Sequence, residues 1–383
     1  MKIAFIGQKG APTRNGGVER YAENLAANLV AQGHEVLLYS RKYYCQGIRE
    51  YKGIRIITVP SLNTKSLEAI THTFFACLDV SFRKVDIINV QSIGPASLIW
   101  LLKILNPLTP VVFTFHCQDY YQKKWGAFAR WYLRLGEKMG CSLADRIITI
   151  SKDLTAYVER TYHKTATYIP NGTQIVSGPL ASPDIRRWGL ERNNYISYIG
   201  RLIPHKNVHH LISAFKKVKT DKRLVIVGAS SYTDNYVQKL NRLAEGDERI
   251  IFVGNQEGLI LKALFSNSYL FVQPSEYEGL SVALLEAMGW GLACLVSDIP
   301  QNLEAIQDAG LSFQVNDTDD LAKKLQYLLD NPEETARLGS LAIKRAGNEY
   351  NWKGISEQVA RVYKDLINEY ADKYARRNSS PIF

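Results

Sequence analysis

The sequence predicts an α/β protein made of two parallel-sheet halves, and three observations carry that expectation. Short apolar runs rich in β-formers alternate with longer stretches whose apolar residues recur at helical spacing. The alternation breaks over residues 172–194, where Gly, Pro, Ser and Asn cluster, and then begins again. The chain has 383 residues, 46% hydrophobic and 22% charged, which is room for two ordinary cores.

In the first half the strand candidates are Lys2–Gly7, Glu35–Ser40, Arg55–Val59, Ile87–Val90, Val111–Phe115, Arg146–Ile150 and Thr167–Ile169. Gly17–Gln32 separates the first two, with Val18, Tyr21, Leu25 and Leu29 on one helical face. Buried runs joined by helices require parallel pairing with both sheet faces covered. In the second half Tyr195–Ile199 reads as a strand, Val208–Val218 as a helix and Leu224–Val227 as a strand. Helix Tyr236–Leu243, strand Ile250–Phe252, helix Leu259–Phe265, strand Leu270–Val272, helix Ser281–Met288 and strand Ala293–Val296 follow. Asp319–Leu329 is a further helix, and the last covers about Ser356–Tyr374, with a frayed tail at Arg376-Arg377-Asn378.

Several classes fall away on composition. The five cysteines, Cys45, Cys77, Cys117, Cys141 and Cys294, are scattered, with no C-x-x-C pair to suggest a disulfide framework or a zinc site. The opening Met1–Gly7 reads as a strand rather than a signal peptide. The most apolar stretch, Ala96–Phe113, is broken by Lys103, Asn106, Pro107 and Pro110, and falls short of the ~20 residues a spanning helix needs. Secretion and membrane crossing are therefore not expected, and a reducing cytoplasm is. Residues 1–175 carry 22 Lys+Arg against 12 Asp+Glu, a net of +10, whereas 176–383 carry 25 of each. That basic half suits anionic lipid, a phosphorylated substrate or nucleic acid, and no nucleic-acid motif accompanies it.

Ligands of open α/β sheets bind beyond the carboxyl ends of the strands, so chemistry belongs in the loops that follow strands. The strongest such loop is Pro274-Ser275-Glu276-Tyr277-Glu278-Gly279-Leu280-Ser281, which opens the helix carrying Glu286. A helix N-terminus at Ser281 offers unpaired amides and a positive dipole end to a diphosphate or to sugar hydroxyls, and Gly279 lets a ligand approach. Arg201 and Lys206 follow strand Tyr195–Ile199 and can neutralise a departing diphosphate. No acidic pair stands in a plausible place for a metal. Gly16-Gly17 sits in the loop from Gln8 into the first helix, where amides can meet a phosphate. That loop is not a dinucleotide fingerprint: Gly7-x-x-Gly10 does not fit the glycine spacing, and Tyr39-Ser40-Arg41 lacks the ribose-binding acid. His116 follows strand Val111–Phe115.

Glu278 and Glu286 match the E-x7-E signature of the retaining glycosyltransferases of family GT4, which the chain resembles over most of its length. Gly16-Gly17-Val18-Glu19, Phe115-His116, Ser151-Lys152, Pro170-Asn171-Gly172, Gly200-Arg201 with Lys206-Asn207, and Val227-Gly228 fall in the family's order. The resemblance implies a GT-B fold, with two Rossmann-like domains facing a central cleft. An N-terminal acceptor domain would span 1–175, with about 365–383 crossing back to it, and a C-terminal donor domain 176–364. It implies that Glu278 holds donor-sugar hydroxyls with help from the Gly279 and Leu280 amides, and that Glu286 binds the ribose. It also implies that His116 contacts the donor sugar and that Arg201 and Lys206 replace a metal. Asn255, in the loop Gly254–Glu257, would approach the base.

Retention, with same-face attack and the departing phosphate as base, comes from the family alone. The opening Ile6–Pro12 with Gly16–Glu19 also resembles bacterial rhamnosyl- and glucosyl-transferases of polysaccharide assembly, which points to a UDP or dTDP donor and a lipid-linked or glycan acceptor. A GT-B-shaped epimerase or a catalytically silent sugar-binding protein are the alternatives. Finally, Tyr120–Lys138 interleaves Trp125, Phe128, Trp131, Tyr132 and Leu135 with Lys123, Lys124, Arg130, Arg134 and Lys138. A basic aromatic helix of this kind suits the surface of an anionic membrane at the cytoplasmic face. The pattern equally fits a core helix with a solvated basic face.

Overall fold

A computed structural model describes the chain except residues 15, 63, 65, 66, 123, 124, 177, 179, 181, 182, 232 and 380–383, and except the side chains of 183, 184 and 376–379. It divides into two compact units, residues 1–171 with the chain from Trp352 onward, and Gly172–Asn351. The return to the first unit thus starts at Trp352 rather than near 365, because Trp352, Ile355 and Val359 already bury in its core. The last helix spans Trp352–Ser379, longer at both ends than the sequence reading, and takes in residues 376–378. Ala375-Arg376-Arg377 are strong helix formers, with neither Gly nor Pro to stop them.

Eight strands form the first sheet among the described residues. They are β1 (Lys2–Ile6), β2 (Glu35–Arg41), β3 (Glu50–Tyr51), β4 (Ile54–Val59), β5 (Ile87–Gln91), β6 (Val111–Phe115), β7 (Arg146–Thr149) and β8 (Thr167–Tyr168). Their order is β3-β4-β2-β1-β5-β6-β7-β8, parallel except for the short β3, which the sequence reading does not contain. One face packs Ile3, Phe5, Ile87 and Val112 beneath helix Gly17–Ala31 and helix Trp352–Ser379. Helices Glu68–Ser81, Ile99–Leu105 and Ala127–Leu143 neighbour one another in the rest of the unit and contact β1, β4 and β6.

In the second unit six strands are described: β9 (Tyr195–Ile199), β10 (Arg223–Val227), β11 (Ile250–Gly254), β12 (Leu270–Gln273), β13 (Ala293–Ser297) and β14 (Leu311–Phe313). They lie in the order β11-β10-β9-β12-β13-β14, all parallel. Strand β14 and helix Pro332–Glu349 are absent from the sequence reading. β14 has only three residues, whereas the helix is marked by Asn331-Pro332 and by Glu333-Glu334 in its first turn, a signal that the sequence reading passes over. The core of this unit gathers Ile196, Leu211, Phe215, Leu224, Leu270 and Leu295.

Both strand orders reverse beside the first strand of the unit. From β1 the chain moves outward through β2, then resumes on the other side at β5; from β9 it moves out through β10 and β11, then resumes at β12. Loops leaving the two strands at a reversal diverge and expose a crevice between them. On the other side of β9, where β10 is its neighbour, the two strand ends pack tightly. Gly228 after β10 has φ +149°, and a Cβ there would meet the Gly200 carbonyl after β9 at 1.9 Å. Gly228→Ala is expected to destabilise the protein by roughly 2–4 kcal/mol in denaturant unfolding, from backbone strain plus overpacking.

Candidate active site

The loops after β9 and β12 meet at the reversal of the second sheet. The Glu276 amide donates to the His205 carbonyl at 2.9 Å, and the Lys206 ammonium pairs with the Glu278 carboxylate. Lys206 closes the short 3-10 turn Pro204–Lys206, and Asn207 beyond it adopts a left-handed conformation at φ 54° while its amide bonds Asn316 at 2.7 Å. The Lys206 and Glu278 side chains are only 14% and 10% exposed, so the pair sits largely out of water. Arg201 is half-buried in the turn after β9, where its carbonyl accepts from the Tyr198 hydroxyl at 3.1 Å. Burial pushes the Tyr198 phenol well up; the Glu278 carboxylate adds to this and Arg201 opposes it, so both charges bear on this buried ring.

Helix Val282–Gly289 begins where the loop ends. Ser281 caps it, its hydroxyl accepting from the Leu284 amide at 3.4 Å and donating to Gln273 Oε1 at 2.7 Å. Gln273 in turn donates to Asn302 at 2.9 Å, Asn302 donates to Ser297 Oγ at 3.0 Å, and Ser297 donates to the Ser275 carbonyl at 2.5 Å. This buried circuit pins both ends of the loop that holds Glu278, Gly279 and Leu280. Sequence reading names Ser281 but misses Gln273, Asn302 and Ser297, although Gln273 and Ser297, polar residues ending apolar strands, are a usable signal. Glu286 is half-buried in the second turn of the helix. Asn255 is not part of this cluster: it follows the edge strand β11, two strands or about 10 Å of sheet from β9, and donates to Glu257 at 3.0 Å.

In the first unit the loop after β1 is anchored by two carboxylates of the following helix. The Lys9 amide donates to Glu19 at 3.3 Å and the Thr13 amide to Glu23 at 2.5 Å. Burial acts to raise the Glu23 carboxyl, but Lys52 and the Thr13 amide outweigh it and hold it below its ordinary value. Gly16 takes φ +101° as the residue preceding the helix, and Gly17 is exposed as its first residue. His116, just beyond β6, is 4% exposed; its Nε2 lies 2.7 Å from Gln91 Oε1, and its ring meets the Tyr21 ring edge-on at 4.8 Å. Burial lowers its pKa to about 3, so the imidazole is neutral. Among the described residues no group of three or more His, Cys, Asp or Glu is placed to hold a metal ion.

Helix Ala127–Leu143 bears on the two readings that the sequence leaves open. It buries Leu133, Gly136, Glu137, Gly140 and Cys141, and a Cβ at Gly136 would meet the Ile93 carbonyl at 2.0 Å. Small residues thus make the packed face, whereas Phe128 and Trp131 are 75% and 57% exposed. Their rings lie 5.8 Å apart at the surface, so the reading of these aromatics as core does not hold. Lys123 and Lys124 lie outside the described residues.

Known proteins share the fold of the two Rossmann-like units. Sucrose-phosphate synthase from Thermosynechococcus elongatus superposes with TM-score 0.82 at 23% identity, covering 96% of this chain and 99% of that one. HepE from Anabaena, solved with UDP and glucose, gives TM-score 0.78 at 19% identity over 95% and 100%. The fold is GT-B. The family model described as Glycosyltransferase Family 4 matches residues 15–175, and that described as Glycosyl transferases group 1 matches 183–345. The chain is a glycosyltransferase of the GT4 type. The O-antigen chain mannosyltransferase B of Escherichia coli is 29% identical over 190 residues, 48% of this chain and 49% of that protein, so the match spans about half the length of this relative.

Two buried histidines make acid stability a test of the first unit. His116 and His72, the latter on helix Glu68–Ser81, are each held near pKa 3, by burial and for His72 also by the charge of Arg41. Unfolding restores a pKa of about 6.5, so the unfolded chain binds more protons between these values and stability falls as pH falls. Each histidine should cost about 2 kcal/mol between pH 7 and pH 5, and His116→Gln should flatten its share in urea titrations.

Proposed function

We propose that the protein transfers a hexose or deoxyhexose, with retention, from a UDP- or dTDP-sugar to a lipid-linked or glycan acceptor of a cell-surface glycan. The carrying observation is the Lys206–Glu278 pair, clamped between the loops of β9 and β12 at the start of helix Val282–Gly289. In this reading Lys206 and Arg201 offset the negative charge that develops on the leaving diphosphate, and no metal is required. Glu278 turns to the donor-sugar hydroxyls, with the Gly279 and Leu280 amides beside it and the capped helix start at Ser281 completing the phosphate end. Glu286 takes the ribose. Gly16 and Gly17 present amides to the donor, and neutral His116 takes a sugar hydroxyl. Asn255 serves the base from the loop after β11. HepE, which shares the fold, is solved with UDP and glucose, which favours UDP among the bases. Rhamnosyl or glucosyl transfer is the finer assignment.

The reading extends to a peripheral position on the inner face of the cytoplasmic membrane. Among the described residues no helix is long and apolar enough to cross a bilayer. Among the described residues, 14 of the exposed large apolar side chains fall in the first unit and four in the second, and the first half of the chain also holds the whole positive excess. Exposed aromatics beside Arg130, Arg134 and Lys138 suit insertion among anionic headgroups.

Thermal stabilisation by UDP, GDP, ADP, dTDP and CMP, with and without Mg²⁺, tests the donor site. A metal-independent shift with UDP or dTDP is expected, and no shift at millimolar concentration of any nucleotide would sink the transferase reading. Glu286→Ala should weaken the preferred nucleotide by roughly 1–3 kcal/mol in calorimetry. For the membrane, flotation with phosphatidylglycerol vesicles should carry the protein, and phosphatidylcholine vesicles should not. Phe128→Ser with Trp131→Ser should abolish flotation while leaving nucleotide binding intact.

A further inference from the structure

His116 is buried, yet the hydrogen bond it makes does not by itself say which ring nitrogen carries the proton. A buried amide such as Gln91 can either accept from Nε2–H through its oxygen or donate to a bare Nε2 through its nitrogen. The choice is made further along the chain of contacts. Gln91 Nε2 donates to Asn89 Oδ1 at 2.8 Å, and the same oxygen receives the Thr114 hydroxyl at 2.9 Å. The Asn89 amide nitrogen donates to the Tyr363 hydroxyl, which lies on helix Trp352–Ser379. With Asn89 donating to Tyr363, its Oδ1 takes two donors, so Gln91 turns its nitrogen to Asn89 and its oxygen to the imidazole. His116 is then protonated at Nε2, and Nδ1 keeps its lone pair.

The same helix reaches the histidine by a second route. Trp352 packs on Tyr21 at 5.9 Å, and Tyr21 meets the His116 ring edge-on at 4.8 Å. Asn89 and Gln91 alternate on one face of an otherwise apolar β5, and no core requires two amides there. A polar pair in that position costs stability unless it is fully bonded, which this network provides.

We propose that Gln91, Asn89 and Tyr363 are positioning residues that hold His116 as the neutral Nε2–H tautomer, making the C-terminal helix part of the site's machinery. Nδ1 is thereby committed to accepting a hydrogen bond, so the group facing it must be a donor such as a sugar hydroxyl. The opposite polarity throughout, with Tyr363 donating, would leave Nδ1–H and demand an acceptor instead. The catalytic consequence rests on the reading of His116 as a donor-sugar contact; the tautomer does not.

The test uses the full chain labelled with ¹⁵N-histidine, with the His116 signals identified by their loss in His116→Gln. Long-range ¹H–¹⁵N spectra should show a neutral ring protonated at Nε2. A ring protonated at Nδ1, or one averaging both forms, overturns the assignment. Gln91→Glu keeps an acceptor and should retain a proton at Nε2, whereas Gln91→Leu should release the tautomer. Gln91→Leu should also lower kcat about ten- to hundredfold with donor KM changed by less than about threefold, as expected for misorientation rather than lost binding. Tyr363→Phe should follow in the same direction with a smaller loss. Unchanged kcat in both, in folded protein, overturns the positioning role. A wild-type protein inactive with every nucleotide sugar would instead sink the transferase reading, and the spectra would still decide the tautomer.

Discussion

Parallel pairing imposes the constraint on which this molecule turns. A parallel strand must be entered from the same end as its neighbour, so each connection has to cross the sheet and return. When successive connections run to one side of the first strand and then to the other, the loops beyond that strand have no neighbour to close against. In the second unit this falls between β9 and β12, and in the first between β1 and β5. The loops there can approach a ligand with backbone amides while their strands stay packed. Gly16, Lys206 and Glu278 follow those strands, His116 follows the strand next to β5, and Asn255 alone of the residues named lies farther out, after β11.

Placing charge in such a crevice has an energetic condition. Lys206 and Glu278 are largely withdrawn from water, and an isolated ion in that position would lose several kcal/mol of hydration. Each offsets the other, and the circuit from Ser281 through Gln273, Asn302 and Ser297 to the Ser275 carbonyl keeps the loop from relaxing into solvent. A pair held in this way is pre-oriented: either partner can turn to a ligand of opposite polarity without the backbone having to be ordered first. Preorganised charge of that kind is where enzymes gain most of their electrostatic stabilisation.

What the sequence made legible follows from what is local. Strand positions, the helix after Gly16, the loop carrying Glu278 and the Arg201–Lys206 turn are all marked by period and composition over a few residues, and these match the structure to within a residue or two. The two-residue β3 and three-residue β14 are not, since short strands carry no period; helix Pro332–Glu349 is marked by Asn331-Pro332 and is passed over all the same. Helix Ala127–Leu143 is the harder case, which the sequence leaves open between a core face and a membrane-facing one. Its aromatics look like a core face, but the packed face is made by Gly136 and Gly140, whose value lies in close approach to Ile93 and Phe113 and cannot be seen in a helical wheel. The partners of His116 were invisible for a different reason: Gln91, Asn89 and Tyr363 are brought together by contacts across 25 to 274 residues of chain.

That long-range contact has a packing origin. The first sheet is apolar on both faces, and helix Gly17–Ala31 covers only part of one of them. Without a second helix, Ile3, Phe5, Ile87 and Val112 would face water, and each such side chain is worth about 1.5–3 kcal/mol when buried. The chain therefore returns at Trp352, burying Trp352, Ile355, Val359, Tyr363 and Leu366 against that face. Tyr363 arrives beside β5 as part of the same apolar stripe, and a buried phenol there needs a hydrogen-bond partner. Asn89 supplies it, and Gln91 two residues on carries the polarity to His116. The demand for a covered sheet face thus brings a distant helix to the network around His116, and the demand that its hydroxyl be satisfied gives that helix a say in which nitrogen of His116 is bare.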